Sequence, residues 1–279
     1  MILLEHGATV DLADSNQLTP LVIAALRGRT NIAQLLVRHG ANVRFGDLEG
    51  RTPLWWAVEY GQDSTVAFPL ESGAAPDLPT KDGALSLCCA ALAGHSTIVQ
   101  VFLEHGADIN LQDATGRTPL SNAAVGGHEM VIDTLLNQEA MLNIQDSDNR
   151  TALMHAAENG NGIVVELLIK AGALIDLEDN NGANALSLAI AKDNQEAEHL
   201  LSEAASRPRQ KLPSHFAVAQ SELYQYKCLS EGSKIRVMAL QPGKRNETLS
   251  FELKEVDLAD RPVYQALSYD WELRLRQYL

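Results

Sequence analysis

Cysteine is nearly absent: the 279 residues contain three, Cys88, Cys89 and Cys228. Adjacent cysteines do not bridge each other without strain, and no spacing resembles a zinc site. That scarcity excludes a disulfide-stapled scaffold and predicts a reduced, intracellular, cytoplasmic protein, with the nucleus left open. No apolar run approaches the roughly 20 residues that span a bilayer. The opening MILLEHGATVDLAD lacks the basic start of a secretory signal. Positive charge is scarce as well. Residues 1–205 hold 10 Lys/Arg against 27 Asp/Glu, a body that repels phosphate backbones and so excludes nucleic acid as its partner. Arg207, Arg209 and Lys211 of SRPRQKLPS are too few to reverse that, and residues 215–279 balance 9 against 9. There is no GxSxG, no phosphate-cradling glycine loop and no HExxH, so neither an enzyme nor a cofactor is expected.

What the chain does have is a repeat. Segments starting at Asp14, Asp47, Thr80, Asp113, Asp146 and Asp179 superimpose at a spacing of 33 without insertion. The eighth position is always leucine (Leu21, Leu54, Leu87, Leu120, Leu153, Leu186) and the eleventh always alanine (Ala24, Ala57, Ala90, Ala123, Ala156, Ala189). Thr19-Pro20, Thr52-Pro53 and Thr118-Pro119 place an N-cap ahead of a proline at the first helical position. Gly28, Gly61, Gly94, Gly127 and Gly160 close that short helix. A second helix with paired apolar residues, such as Ile98-Val99 and Leu135-Leu136, ends at Gly40, Gly73, Gly106 and Gly172. The residues that follow alternate and turn, suiting a hairpin-like connection.

RTPLSNAAVGGHEMVIDTLL and DNRTALMHAAENGNGIVVELLIKAGA resemble ankyrin repeats, and the resemblance covers residues 1 to about 206. It implies a mostly α solenoid: six units of stacked helix pairs, a partial unit at 1–13, a projecting row of fingers, and a protein partner on the concave side. MILLEHGA aligns with the end of a second helix, which predicts that the first unit lacks its first helix and finger, as in a truncated or misannotated gene product. The last unit is more polar through Glu196, Glu198 and Glu203, as an end unit requires.

Three departures predict local cost. Glu139 stands where other units have the helix-ending glycine, at about 1 kcal/mol if the left-handed conformation is kept. Pro69 falls inside a second helix, where an interior proline costs roughly 3 kcal/mol. Leu85-Ser86 replaces the Thr-Pro cap. Residues 65–86 are therefore expected to be the weakest joint.

Candidate binding residues follow from the pattern. Trp55, Glu59, Tyr60, Leu92, Glu158 and Asn159 are expected on or near the concave edge of the first helices, where aromatic anchors are favoured. Leu48, Glu49, Arg51, Lys81, Arg117, Asp148 and Arg150 would complete that face from the fingers, while Trp56 is expected in the core. Glu158 and Glu166 otherwise read as scattered surface charge. His6, His39, His95, His105 and His128 recur at fixed unit positions. Helices stack about 8–10 Å apart and zinc–nitrogen bonds are about 2 Å, so equivalent histidines cannot share an ion. Helix-end and loop hydrogen bonds are the expected role. Cys88 and Cys89, on a helix of leucine and alanine, are expected to be inert thiols.

After Ser206 the repeat stops. SRPRQKLPS predicts a linker at 207–214. IRVMAL (235–240), the turn QPGKRNET and the alternating LSFELKEV (249–256) predict two strands, and VYQALSY (263–269) a third strand or short helix. This β-containing segment, 215–279, resembles the opening of a fungal heterokaryon-incompatibility (HET) domain. The matching residues are Ile235, Arg236, Leu240, Pro242, Gly243, Val256, Leu258, Tyr264, Ala266, Leu267, Ser268, Tyr269 and Trp271. Glu272 replaces a usual glycine, and LRLRQYL leaves the pattern, which predicts a truncated domain. The resemblance implies a TIR-like fold that triggers cell death after nonself recognition, with the ankyrin array as sensor. The expected function is thus a non-catalytic interaction module fused to part of an effector. The alternatives are a NAD-cleaving effector that retains activity, and a nonfunctional gene fragment.

Overall fold

The computed structural model describes residues 6–206, 234–240 and 251–257, the last two stretches as backbone. The chain divides into two units, Met1–Pro208 and Arg209–Leu279. Within the first, helices come in pairs at the repeat spacing: α1 (Pro20–Leu26) with α2 (Thr30–Arg38), α3 (Pro53–Glu59) with α4 (Asp63–Glu71), and α5 (Ser86–Ala93) with α6 (Ser96–Glu104). The series continues with α7 (Pro119–Gly126) and α8 (Glu129–Asn137), α9 (Ala152–Glu158) and α10 (Gly162–Lys170), and α11 (Ala185–Ala191) and α12 (Gln195–Ser206). In the second unit β1 (Lys234–Leu240) pairs antiparallel with β2 (Phe251–Asp257), from Lys234 opposite Asp257 to Leu240 opposite Phe251. The linker at 207–214, the element at 263–269 and Cys228 lie outside the described residues.

The threonines start the first helices as their sequence position requires. Thr19, Thr52, Thr118 and Thr151 Oγ1 accept the amides of Val22, Trp55, Ser121 and Met154 at 3.2–3.3 Å. The sixth unit reaches the same end with a different residue: Asn184 and Ser187 form a reciprocal capping box. In the third, Leu85 precedes α5 with no side-chain bond at all.

Stacking buries the repeating apolar positions. Five of the six pattern leucines are at most 3% exposed, and the sixth, Leu186, is half-buried in the end unit. All six pattern alanines lie inside. Leu54 to Leu201 contribute to one continuous apolar core, whereas Leu21, Ala24, Ala33, Leu36 and Ala41 of the first unit form their own cluster, touched by Phe68.

Two departures resolve in physical terms. Glu139 keeps the left-handed backbone of its glycine equivalents, with φ 61°. At Gly40, Gly73, Gly106 and Gly172 an added Cβ would meet nothing within 4 Å, so conformational strain alone favours glycine there. Pro69 does not break α4, which continues to Glu71. The ring lies in the last turn and is buried, so the missing donor to Thr65 is its main local cost.

Candidate functional site

The fingers are tight turns built on one recurring carboxylate. In each, the amide at the unit's first position donates to the carbonyl four residues on, as in Asp113 to Arg117 at 3.0 Å and Asp146 to Arg150 at 2.9 Å. The aspartate Oδ1 accepts the amides two and four residues ahead. Asp47 takes Glu49 and Arg51, Asp113 takes Thr115 and Arg117, Asp146 takes Asp148 and Arg150, and Asp179 takes Asn181 and Ala183. Thr80 makes only the second of these contacts, to Ala84. Successive fingers are joined by backbone bonds: Lys81 N–H to Glu49 O (2.9 Å), Ala114 to Gly83 (3.1 Å), Ser147 to Thr115 (3.1 Å) and Asn180 to Asp148 (3.0 Å).

The other carboxylate oxygen faces the first helix, nine residues on. It accepts Trp56 Nε1 at Asp47 (3.1 Å), Asn122 Nδ2 at Asp113 (3.0 Å) and His155 Nε2 at Asp146 (2.7 Å). This overturns the expectation that Trp56 packs in the core. Its indole N–H needs an acceptor, so the side chain turns to the finger and stays half-buried. It stacks on Tyr60 at 5.9 Å between centroids and meets Trp55 edge-on at 5.2 Å. Arg51 lies over both indoles, 4.4 Å from Trp56 and 5.5 Å from Trp55, and pairs with Asp47 and Glu49 at 2.8 Å each.

A second cluster spans the fourth to sixth units. Arg117 Nε approaches Asp146 of the next finger (3.6 Å), and Arg150 Nε donates to Asp179 of the next (3.2 Å). Arg150 also pairs with Glu158 at 2.6 Å, and Lys192 reaches Glu158 at 3.7 Å. Glu158 is therefore a half-buried partner of two cations, where scattered charge was expected; Glu166 pairs only with Lys170, one turn along α10. Burial holds the His155 imidazole below its usual pKa, helped by Arg117 and Arg150 and only partly opposed by the Asp146 carboxylate. Burial alone would raise Asp146, but the Arg150 amide, His155 and the Asp148 amide hold it below the usual carboxylate range.

The predicted residues thus fall into two groups. Arg51, Trp55 and Tyr60 meet in the aromatic cluster, with Glu49 held through Arg51; Arg150 and Glu158 meet in the charged one, beside Arg117. Lys81 Nζ donates to Leu48 O across two fingers at 2.6 Å. Leu48, Glu49, Glu59, Tyr60, Lys81, Leu92, Asp148 and Asn159 are exposed. Sequence reasoning missed Asp47, Asp146, Asp179, Trp56, His155 and Lys192. The polar residues Asn122 and His155 at the position of Trp56 were the available signal.

The recurring histidines make local bonds. His128 Nε2 meets Leu92 O at 2.9 Å and His105 Nδ1 meets Val101 O at 2.8 Å. Asn161 and Asn194 donate from the position of His128 to Ala124 O and Ala157 O. The Cys88 thiol is buried and its pKa is pushed well up by burial. Burial and the charges of Glu59, Asp113 and Asp82 push Cys89 up to about 11. Neither is a ready nucleophile.

A family model described as ankyrin repeats (three copies) matches residues 1–82, 61–146, 85–179 and 132–211. The chain belongs to the ankyrin-repeat family. Its ankyrin array is similar to the crystal structure of the ankyrin repeat domain of Bcl-3, a unique member of the IkappaB protein family. The likeness has 26% identity and a TM-score of 0.64, and covers 72% of this chain and 89% of that one. No curated protein sequence matches the chain. Ankyrin repeats form a protein–protein interaction module. Among the described residues no helix of the array is long and apolar enough to cross a membrane.

Proposed function

We propose that the array binds a protein partner on the concave face formed by the fingers and the edges of the first helices, and does no chemistry itself. The observation that carries this reading is the aromatic cluster of Arg51, Trp55, Trp56 and Tyr60, held by Asp47 at the junction of a finger and a first helix. Aromatic and arginine side chains on a preorganised scaffold are the typical anchors of an interface. Leu48, Glu49, Glu59, Lys81 and Leu92 extend the face across the second and third units, and Arg117, Asp148, Arg150, Glu158 and Asn159 across the fourth and fifth. A photo-crosslinking residue at Leu48, Tyr60 or Leu92 should trap the partner, whereas one at Met130 or Ile163, exposed on the second helices, should not. Equal trapping from both sides would refute the assignment.

The array is proposed to end near residue 206 and to pass through a linker at 207–214 into the opening of a HET domain at 215–279. The division into units at Pro208 and Arg209 supports that boundary, and the paired strands β1 and β2 support the strand–turn–strand reading. In this reading the array is the sensor of a cytoplasmic nonself-recognition protein. Residues 1–214 fused to a complete HET domain should then cause partner-dependent cell death in a filamentous fungus. Death without the partner, or none with it, would remove the sensor role.

A further inference from the structure

The repeat shows how a guanidinium is held on this face. Arg117 and Arg150, five residues into their fingers, each reach the aspartate that founds the next finger, Asp146 at 3.6 Å and Asp179 at 3.2 Å. The third finger cannot do this, because alanine stands at that position, Ala84. The two fingers nevertheless sit in register, with the Ala114 amide on Gly83 O at 3.1 Å. Asp113 is therefore left with neutral donors alone: the Thr115 amide and hydroxyl, the Arg117 amide and the Asn122 side chain. The same unit is also short at the next position in the row, where half-buried Cys89 replaces Trp56, Asn122 and His155. Around this notch the charges of Glu59, Asp113 and Asp82 converge on the Cys89 thiol. No cation lies within ion-pair distance of Asp113 or Glu59 among the described residues. Beside it the Trp55 indole Nε1 is out of contact with solvent and lies against the Cys89 thiol. Leu92, one turn after Cys89 on α5, and Tyr60 on α3 are exposed apolar neighbours.

We infer that the partner is a peptide segment that places an arginine in the Ala84–Cys89 notch opposite Asp113, with an adjoining apolar side chain on Leu92 and Trp55. Charge complementarity selects a cation, since residues 1–205 carry 27 acids against 10 bases, and the cations of this face are already engaged. Arginine suits the site better than lysine: its planar fork reproduces the contacts of Arg150 and stacks on an indole as Arg51 does. The inference rests on the concave-face reading and names the chemistry of its partner.

The test uses the full chain and a phage-displayed library of random dodecapeptides. Enriched peptides should share an arginine beside an aliphatic or aromatic residue. Ala84→Arg supplies the missing guanidinium from within the array, so it should weaken those peptides about tenfold or more. Its unfolding midpoint should stay at or above that of the parent chain. Asp113→Asn keeps an oxygen for the turn amides, removes the charge, and should weaken the same peptides by a similar factor. Enriched peptides without arginine, or binding that neither variant changes, would overturn the inference and leave the concave-face reading standing. No enrichment at all, or binding lost with Met130→Glu but kept with Tyr60→Glu, would overturn both.

Discussion

His155 should make the array acid-sensitive through a single proton. The imidazole is 3% exposed and donates at 2.7 Å to Asp146, which is itself buried. Its folded-state pKa lies below the ordinary value because burial and two nearby guanidinium groups disfavour the cation. The unfolded chain therefore takes up this proton first as pH falls. Stability is fully present above about pH 6.5 and is lost below it, by at most about 1.4 kcal/mol per pH unit, until the folded pKa is reached. Asp146, held below its usual range, adds a loss in the same direction only at the pH of carboxylate protonation. The matched control is written in the neighbouring unit, where Asn122 donates to Asp113 at 3.0 Å from the same position. His155→Asn should keep the donor and remove the titration. Urea unfolding at pH 7.5, 6.5 and 5.5 should show the parent losing more than the variant across the lower step, by at most about 1 kcal/mol. The other histidines are common to both proteins and cancel. Parallel profiles would refute the reasoning, and so would a parent that gains stability on acidification, which would show that Asp146 holds His155 protonated.

Three further outcomes follow from the same contacts. Arg150→Ala removes a partly buried bridge between two fingers and leaves Asp179 without its cation, and should cost about 2–4 kcal/mol in urea unfolding; Lys192→Ala, which breaks only a long 3.7 Å contact from an exposed ammonium, should cost under about 0.5 kcal/mol. In hydrogen exchange, residues 65–86 should lose protection before 113–135, since that stretch combines Pro69, the uncapped Leu85 and the missing carboxylate at Thr80; Pro69→Ala should narrow the gap. Alkylation by iodoacetamide at pH 8 should be slower at Cys89 than at a free thiol by about tenfold or more, because a pKa of about 11 leaves little thiolate.

Much of the fold was legible because the repeat imposes one physical solution six times. Thr118 followed by Pro119 specifies a helix start in any context, and the cap contact to Ser121 is there. Gly106 specifies a left-handed residue, and φ is 78°. What sequence reasoning misplaced depends on contacts across units or across nine residues. Trp56 reads as core by composition, yet its N–H follows the carboxylate of Asp47. Glu158 reads as surface charge, yet the Arg150 that claims it belongs to the finger of its own unit and also holds the next finger's Asp179. Arg51 illustrates the point most directly. With Thr80 in place of an aspartate ahead, it folds back on Asp47 and the indoles instead of bridging forward. No local pattern at Arg51 encodes that choice; the residue 29 positions later does.

The proposed binding surface lies where the fingers meet the first helices. Its most direct test is the affinity of the photo-trapped partner for two doubly substituted chains, measured by calorimetry. Tyr60→Glu with Leu92→Glu places charge on the proposed face, and Met130→Glu with Ile163→Glu places it on the second helices. All four positions are exposed, at 44–72%, so neither pair disturbs the core. The first pair should weaken binding by about 100-fold, near 2.7 kcal/mol, and the second should leave it unchanged. The reverse ranking, or equal losses from both, would contradict the account.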